Sequence, residues 1–215
     1  ALANMPAGAR APELALLNAS LLLEVGQVEA ARGHIDAALA ADPKAGLALA
    51  LRAIIEVVQN QRDAALADAV AAVAASDNAA TRIALSYAQQ STGALDAARE
   101  TLLAAASVHP DDALVKARLA ELWLMQGATD KALAAATEAQ SLAPKLAKAA
   151  QVLGFVELAA NHSAVAATHF RNAIELNSAD PLAHFGLGLT LIRQGQLASG
   201  RGEMEAAVAL DGSNA

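Results

Sequence analysis

Three times in this chain a glycine is followed seventeen residues later by a proline: Gly26 to Pro43, Gly93 to Pro110 and Gly127 to Pro144. Each interval holds an Ala/Leu-rich amphipathic run, and Gly195 opens one more. Glycine and proline both punctuate regular structure, so the chain is cut into short pieces of one kind. Aligned on these marks, units begin near Pro12, Gly46, Ala79, Ala113, Ala147 and Pro181, in steps of 34, 33, 34, 34 and 34 residues. A constant period of this length marks stacked supersecondary units, none of which buries its apolar stripe alone.

Three columns of small residues run through the alignment. The first helix of each unit carries Ala19, Ala53, Ser86, Ala120, Gly154 or Gly188 at one position. The second helix opens on Ala31, Ala65, Ala98, Ala132, Ala166 or Gly200, and later carries Ala38, Ala72, Ala105, Ala139, Ala173 or Ala207. Asn60 and Asn161 stand in the turn-glycine column, where asparagine tolerates left-handed backbone angles. In period and pattern this resembles the tetratricopeptide repeat, a helix–turn–helix with small residues at fixed contacts. The resemblance covers about residues 12–212. It implies an all-α solenoid of about six repeats forming a right-handed superhelix, with first helices lining a concave face. The style points to a bacterial array or a fragment of one. The chain also departs from the family: the bulky aromatic column reads Leu22, Glu56, Gln89, Trp123, Glu157 and Leu191.

Twelve helices follow. First helices are expected at 13–25, 46–59, 79–91, 112–126, 146–160 and 181–194, and second helices at 28–41, 62–75, 95–107, 129–141, 163–176 and 197–210. Residues 1–11 read as a lead-in and 213–215 as a C-terminal end. Composition agrees: apolar residues make up 55% but aromatics only 2%, so helices rich in alanine must approach closely. Val208 and Leu210 close the last unit without a capping helix, which reads as a fragment of a longer array or a last unit that docks on a partner.

Charge and motifs narrow the functions. A net charge of −7 without a polybasic run argues against nucleic acid, and no uncharged apolar stretch is long enough to insert in a membrane. The absence of cysteine removes thiolate chemistry and disulfides, and leaves cytoplasm and bacterial periplasm open, with the periplasm favoured. The five histidines form no metal pair, and Gly186-Leu187-Gly188 lacks the strand that a nucleotide loop requires. Asp111-Asp112 reads as a helix cap. No catalysis, metal or cofactor is expected.

The resemblance implies that ligands lie along the first helices. Carried onto this chain, the inner positions include Tyr87, Leu124, Met125, Phe155, Leu158, Phe185 and Ile192, with Glu121, Gln151 and Arg193 nearby. These apolar residues either finish the packing between helices or form a groove for an apolar segment. Arg118 and Lys148 fall in adjacent repeats and are expected to hold a ligand carboxylate; the alternative is a pairing with a neighbour such as Glu121. Leu16, Ser20, Leu51, Ala80 and Ala84 occupy positions where some relatives carry a clamp for a chaperone's terminal carboxylate, which disfavours that role. The expected function is a scaffold that binds a peptide or partner protein in the concave groove. The alternative is a self-associating homo-oligomeric array within a larger bacterial envelope or assembly protein.

Overall fold

At six places among the described residues the backbone turns into left-handed space: Gly26, Asn60, Gly93, Gly127, Asn161 and Gly195 have φ between 58° and 83°. Each lies just beyond the end of a first helix and closes it in the same way. In the fourth repeat, Gly127 N–H donates to the Leu124 carbonyl (3.0 Å) and Ala128 N–H to the Trp123 carbonyl (2.9 Å). The pair of bonds satisfies two carbonyls that the helix end would leave open. Asn60 and Asn161 make the equivalent bonds, as the sequence alignment predicts.

The computed structural model describes residues 7–24 and 26–212. Twelve α-helices occur among them: α1 Ala7–Glu24, α2 Val28–Ala41, α3 Gly46–Val58, α4 Arg62–Ala75, α5 Ala79–Ser91, α6 Leu95–Val108, α7 Ala113–Met125, α8 Thr129–Leu142, α9 Ala147–Ala159, α10 Ser163–Leu176, α11 Pro181–Arg193 and α12 Leu197–Gly212. No strand occurs among the described residues. The fold is all-α and built of helical hairpins, repeats one to six. Most ends fall within a residue or two of the expected ones. The exception is α1, which begins at Ala7 rather than 13 because the alanine-rich stretch before Pro12 continues the helix. Residues 1–6 of the lead-in, Val25 and the end at 213–215 lie outside the described residues.

Side-chain acceptors fix the starts of α5, α7 and α11. Asn78 and Thr81 form a reciprocal capping box, each side chain meeting the other's backbone N–H at 3.1 Å. Asp112 accepts from Val115 N–H at 2.9 Å and Asp180 from Leu182 N–H at 3.0 Å.

Two compact units divide the chain, residues 1–105 and 106–215. In the first, α3 packs on α1 and α2 as well as on α4 and α5. In the second, α9 packs on α7, α8 and α10, and α11 on α9, α10 and α12. Both cores are lined by the small-residue columns: Ala31, Ala65, Ala98, Ala132 and Ala166 are all fully buried. Two glycines of the first helices, Gly154 in one of these columns and Gly186 outside them, leave room that is filled from across the interface. Phe170, the largest buried side chain, lies against the Cα atoms of Gly154 and Gly186. A Cβ at Gly186 would stand 2.3 Å from the ring, and at Gly154 2.8 Å.

The aromatic column is served by polar contacts where aromatics are missing. Thr101 Oγ1 donates to Gln89 Oε1 at 2.9 Å, and Glu157 Oε2 meets His162 Nδ1 at 2.7 Å. Trp123 lies under the Lys131 ammonium, 4.5 Å from the ring centroid. Glu56 is less well provided: Oε2 is buried without a hydrogen bond. Burial, and after it the charge of Asp68, push the Glu56 carboxyl above its ordinary value against the pull of Arg52 and Arg32.

Candidate functional site

In the second unit the first helices α7, α9 and α11 place the expected site residues in two rows. The first row is charged. Arg118 Nη1 donates to Glu121 Oε2 at 2.8 Å, and Lys148 Nζ to Glu121 Oε1 at 2.6 Å. Lys148 Nζ also reaches Gln151 Oε1 at 2.9 Å, and Gln151 Nε2 donates to the Asp180 carboxylate at the start of α11. The row thus links repeats four, five and six through alternating donors and acceptors.

Its electrostatics follow from the geometry. Burial pushes the Glu121 carboxyl up, but the charges of Lys148 and Arg118 and their hydrogen bonds outweigh it and hold the group below its ordinary value. Arg118 and Lys148 thus share the Glu121 carboxylate, the pairing that the sequence offered as the alternative to a ligand carboxylate. Arg118 is only 3% exposed and Gln151 is equally buried, so both position the row from within. Lys148 and Glu121 keep a solvent-facing edge.

The second row is apolar. Leu124 is half-buried against the α7–α9 core, and Phe155 meets Phe170 edge-on with ring centroids 4.8 Å apart. Met125 is 53% exposed, and Leu189 and Ile192 of α11 are exposed as well. Two expected members fall elsewhere. Leu158 is buried with Phe170, Leu187 and Leu191, because α10 and α11 close over it. Phe185 is exposed, but on another surface, where it lines a groove of about 510 Å³ between α11 and α12 with Leu182, Met204 and Val208. Arg193 reaches back from α11 to the Leu158 carbonyl at 2.9 Å and Asn161 Oδ1 at 3.3 Å, tying the ends of two first helices together. Tyr87 is half-buried on α5, in the first unit.

Sequence reasoning missed Asp180 as the terminus of the charged row. Its position just before Pro181 signals a cap, and nothing in the spacing reveals the bond from Gln151. Among the described residues, no group of three or more His, Asp and Glu is placed to hold a metal. Nor is any helix long and apolar enough to cross a membrane.

Comparison with known proteins agrees with this architecture. The family model for the tetratricopeptide repeat matches residues 16–81, 83–147 and 153–215. The chain belongs to the tetratricopeptide repeat family, whose helical hairpins serve generally as protein-interaction scaffolds. No curated protein matches it in sequence. Among solved structures it is similar to TTC0263, a thermophilic TPR protein of Thermus thermophilus, at 21% identity and a TM-score of 0.72, covering 85% of this chain and 100% of that one. The human IFIT1 dimer with m7Gppp-AAAA gives 18% identity and a TM-score of 0.76, over 92% of this chain and 50% of that one. The Cut9 and Hcn1 hetero-tetramer of APC/C gives 17% and 0.70, over 91% and 39%. At these identities the likeness is one of fold.

Proposed function

We propose that the chain is a non-catalytic scaffold that binds a peptide or partner segment along the first-helix face of its second unit. The observation that carries the reading is the pairing of two rows on that face. An apolar row of Leu124, Met125, Phe155, Leu189 and Ile192 runs beside a charged row whose geometry is set before any ligand arrives. Apolar side chains of the ligand would cover the first row, at about 1.5–3 kcal/mol for each large side chain before ordering costs. The open edge of Lys148 and Glu121 would orient it. A ligand with alternating apolar and polar residues fits this face better than a bare carboxylate, since Glu121 already holds both cations.

Screening a display library of amphipathic peptides against the chain, then titrating the selected peptides by calorimetry, tests the reading. Met125→Asp and Ile192→Asp are expected to weaken a selected peptide by about tenfold or more each, without loss of helicity. Lys148→Glu should alter the preference for charge in the selected peptides. Peptides that bind these variants as tightly as the parent chain would exclude this face.

A further inference from the structure

An arginine grips a carboxylate most closely through one edge of its guanidinium, where Nε–H and Nη2–H lie parallel and match the two oxygens. This chain uses that edge twice. Arg82 sets Nε and Nη2 on Asp77, and Arg52 sets the same two nitrogens on Asp68 across the α3–α4 hairpin, with Nη2 distances of 2.7 and 2.9 Å. Arg193 presents the same edge with no acid on it. Its Nη1 donates to the Leu158 carbonyl at the end of α9 (2.9 Å) and to Asn161 Oδ1 (3.3 Å). Those bonds use both hydrogens of Nη1 and fix the guanidinium. Among the described residues Nε and Nη2 have no partner, and no carboxylate pairs with Arg193.

This edge borders the apolar row. Leu189 lies four residues before Arg193 on one face of α11, Ile192 stands beside it, and both are exposed. Met125, Ala159 and Arg193 share one column at a step of 34 residues, and all three face solvent. First helices pack about 8–10 Å apart and extended chain advances about 3.3 Å per residue. A segment that crosses Met125 therefore meets the guanidinium one or two helix spacings on, about three to six residues along. The anion is a side chain rather than a chain terminus, which is held by a nest of main-chain N–H groups. Here the turns spend theirs on their own helices: Asn161 N–H donates to the Leu158 carbonyl and Gly195 N–H to the Ile192 carbonyl. A run of acids is disfavoured as well, because the chain carries a net charge of −7.

We propose that the partner segment carries a single Asp or Glu that seats on the Nε–Nη2 edge of Arg193, with large apolar side chains on the row beside it. The inference rests on the peptide-binding reading above and adds the ligand's chemistry to it. The charged row does not supply this contact, since Arg118 and Lys148 already share Glu121. An apolar row alone accepts a segment in either direction. One fixed cation at one end of the row admits the direction that brings the acid to it, so Arg193 sets register and polarity more than affinity.

Peptides that the parent chain selects from the amphipathic display library test it, each titrated by calorimetry beside a version whose acid is changed to the amide. The selected peptides are expected to share one acid at a fixed distance from an apolar residue. The amide version should bind the parent about fivefold more weakly, near the upper end for one exposed ion pair. Toward Arg193→Gln both versions should bind equally, at the weaker level. Circular dichroism melts check that this variant stays folded, and the change on the peptide side leaves the protein intact. Arg193→Lys keeps the charge but loses the fork, and should recover only part of the difference. Peptides without a fixed acid, or an amide that costs as much toward Arg193→Gln as toward the parent, would overturn the proposal. If Met125→Asp and Ile192→Asp still weaken those peptides, the binding face itself stands. Peptides indifferent to Met125→Asp and Ile192→Asp, or no selected peptide at all, would remove the face and this inference with it.

Discussion

Replacing Gly186 by alanine sets two effects of similar size against each other. In a helix interior, alanine is favoured over glycine by about 1 kcal/mol, so an open site would gain stability. Here the new methyl would stand 2.3 Å from Phe170 Cε1 and 2.4 Å from Cζ. Carbon atoms rest at about 3.5–4.0 Å, so more than an ångström must come from movement of the ring or of α11. Phe170 is fully buried and is also held by the edge contact to Phe155, so the ring has little room to yield. Overpacking of this kind costs about 1–3 kcal/mol. Gly186→Ala is expected to destabilise the chain by about 1 kcal/mol net. In a Phe170→Leu background the ring atoms at fault are gone, and the same substitution should turn stabilising by about 0.5–1 kcal/mol. The coupling between the two sites is then about 2 kcal/mol. Urea unfolding of the four proteins, followed by circular dichroism, reads it directly. Additivity within about 0.3 kcal/mol would refute the claim that the glycine exists to admit the ring.

Three further outcomes follow from the same geometry. Gly127→Ala is expected to lose about 1 kcal/mol, because its φ of 74° strains any residue with a Cβ although the space around it is open, while Asn161→Gly at the equivalent turn should be neutral or slightly stabilising; thermal melts distinguish the two. Glu56→Leu should stabilise the first unit by about 1 kcal/mol at neutral pH and by less in acid. The raised native pKa means that the parent loses stability as pH rises through the unfolded and then the folded value, and denaturant titrations in both conditions check this. Glu121→Gln removes the negative charge that the buried Arg118 and Lys148 share and is expected to cost about 1–3 kcal/mol at pH 7. Because the native carboxyl is held low, the difference from the parent should shrink as pH falls below about 4.3 and through the folded value.

The turns were legible in the sequence because left-handed backbone admits few residues. Glycine and asparagine at a fixed step announce both the period and the ends of six helices. The small columns were legible for a related reason, since close approach tolerates only small side chains. Site residues are governed by longer-range choices. Register placed Arg118 and Lys148 on facing helices, but a column does not say which carboxylate reaches between them, and here it is Glu121 from the same helix as Arg118. Leu158 and Phe185 stand in columns of neighbouring character, yet one is covered and the other open, because burial depends on which hairpin comes next. The aromatic column showed the same limit. Gln89 finds its partner in Thr101 of the following helix, at a separation that no helical spacing predicts.

The filling of Gly154 and Gly186 by Phe170 also bears on how such a gene can change. Repeats of one length invite unequal crossing-over, and loss of residues 147–180 would preserve the register of every turn. It would also bring Ala136, which stands where Phe170 stands one repeat later, against Gly186, where the intact chain sets it against Val152. The contracted product would carry a void at its new junction, and duplication of a repeat would misfit in the same way. The equal period makes the repeats look exchangeable, while each junction accepts only the neighbour with which its volumes were matched.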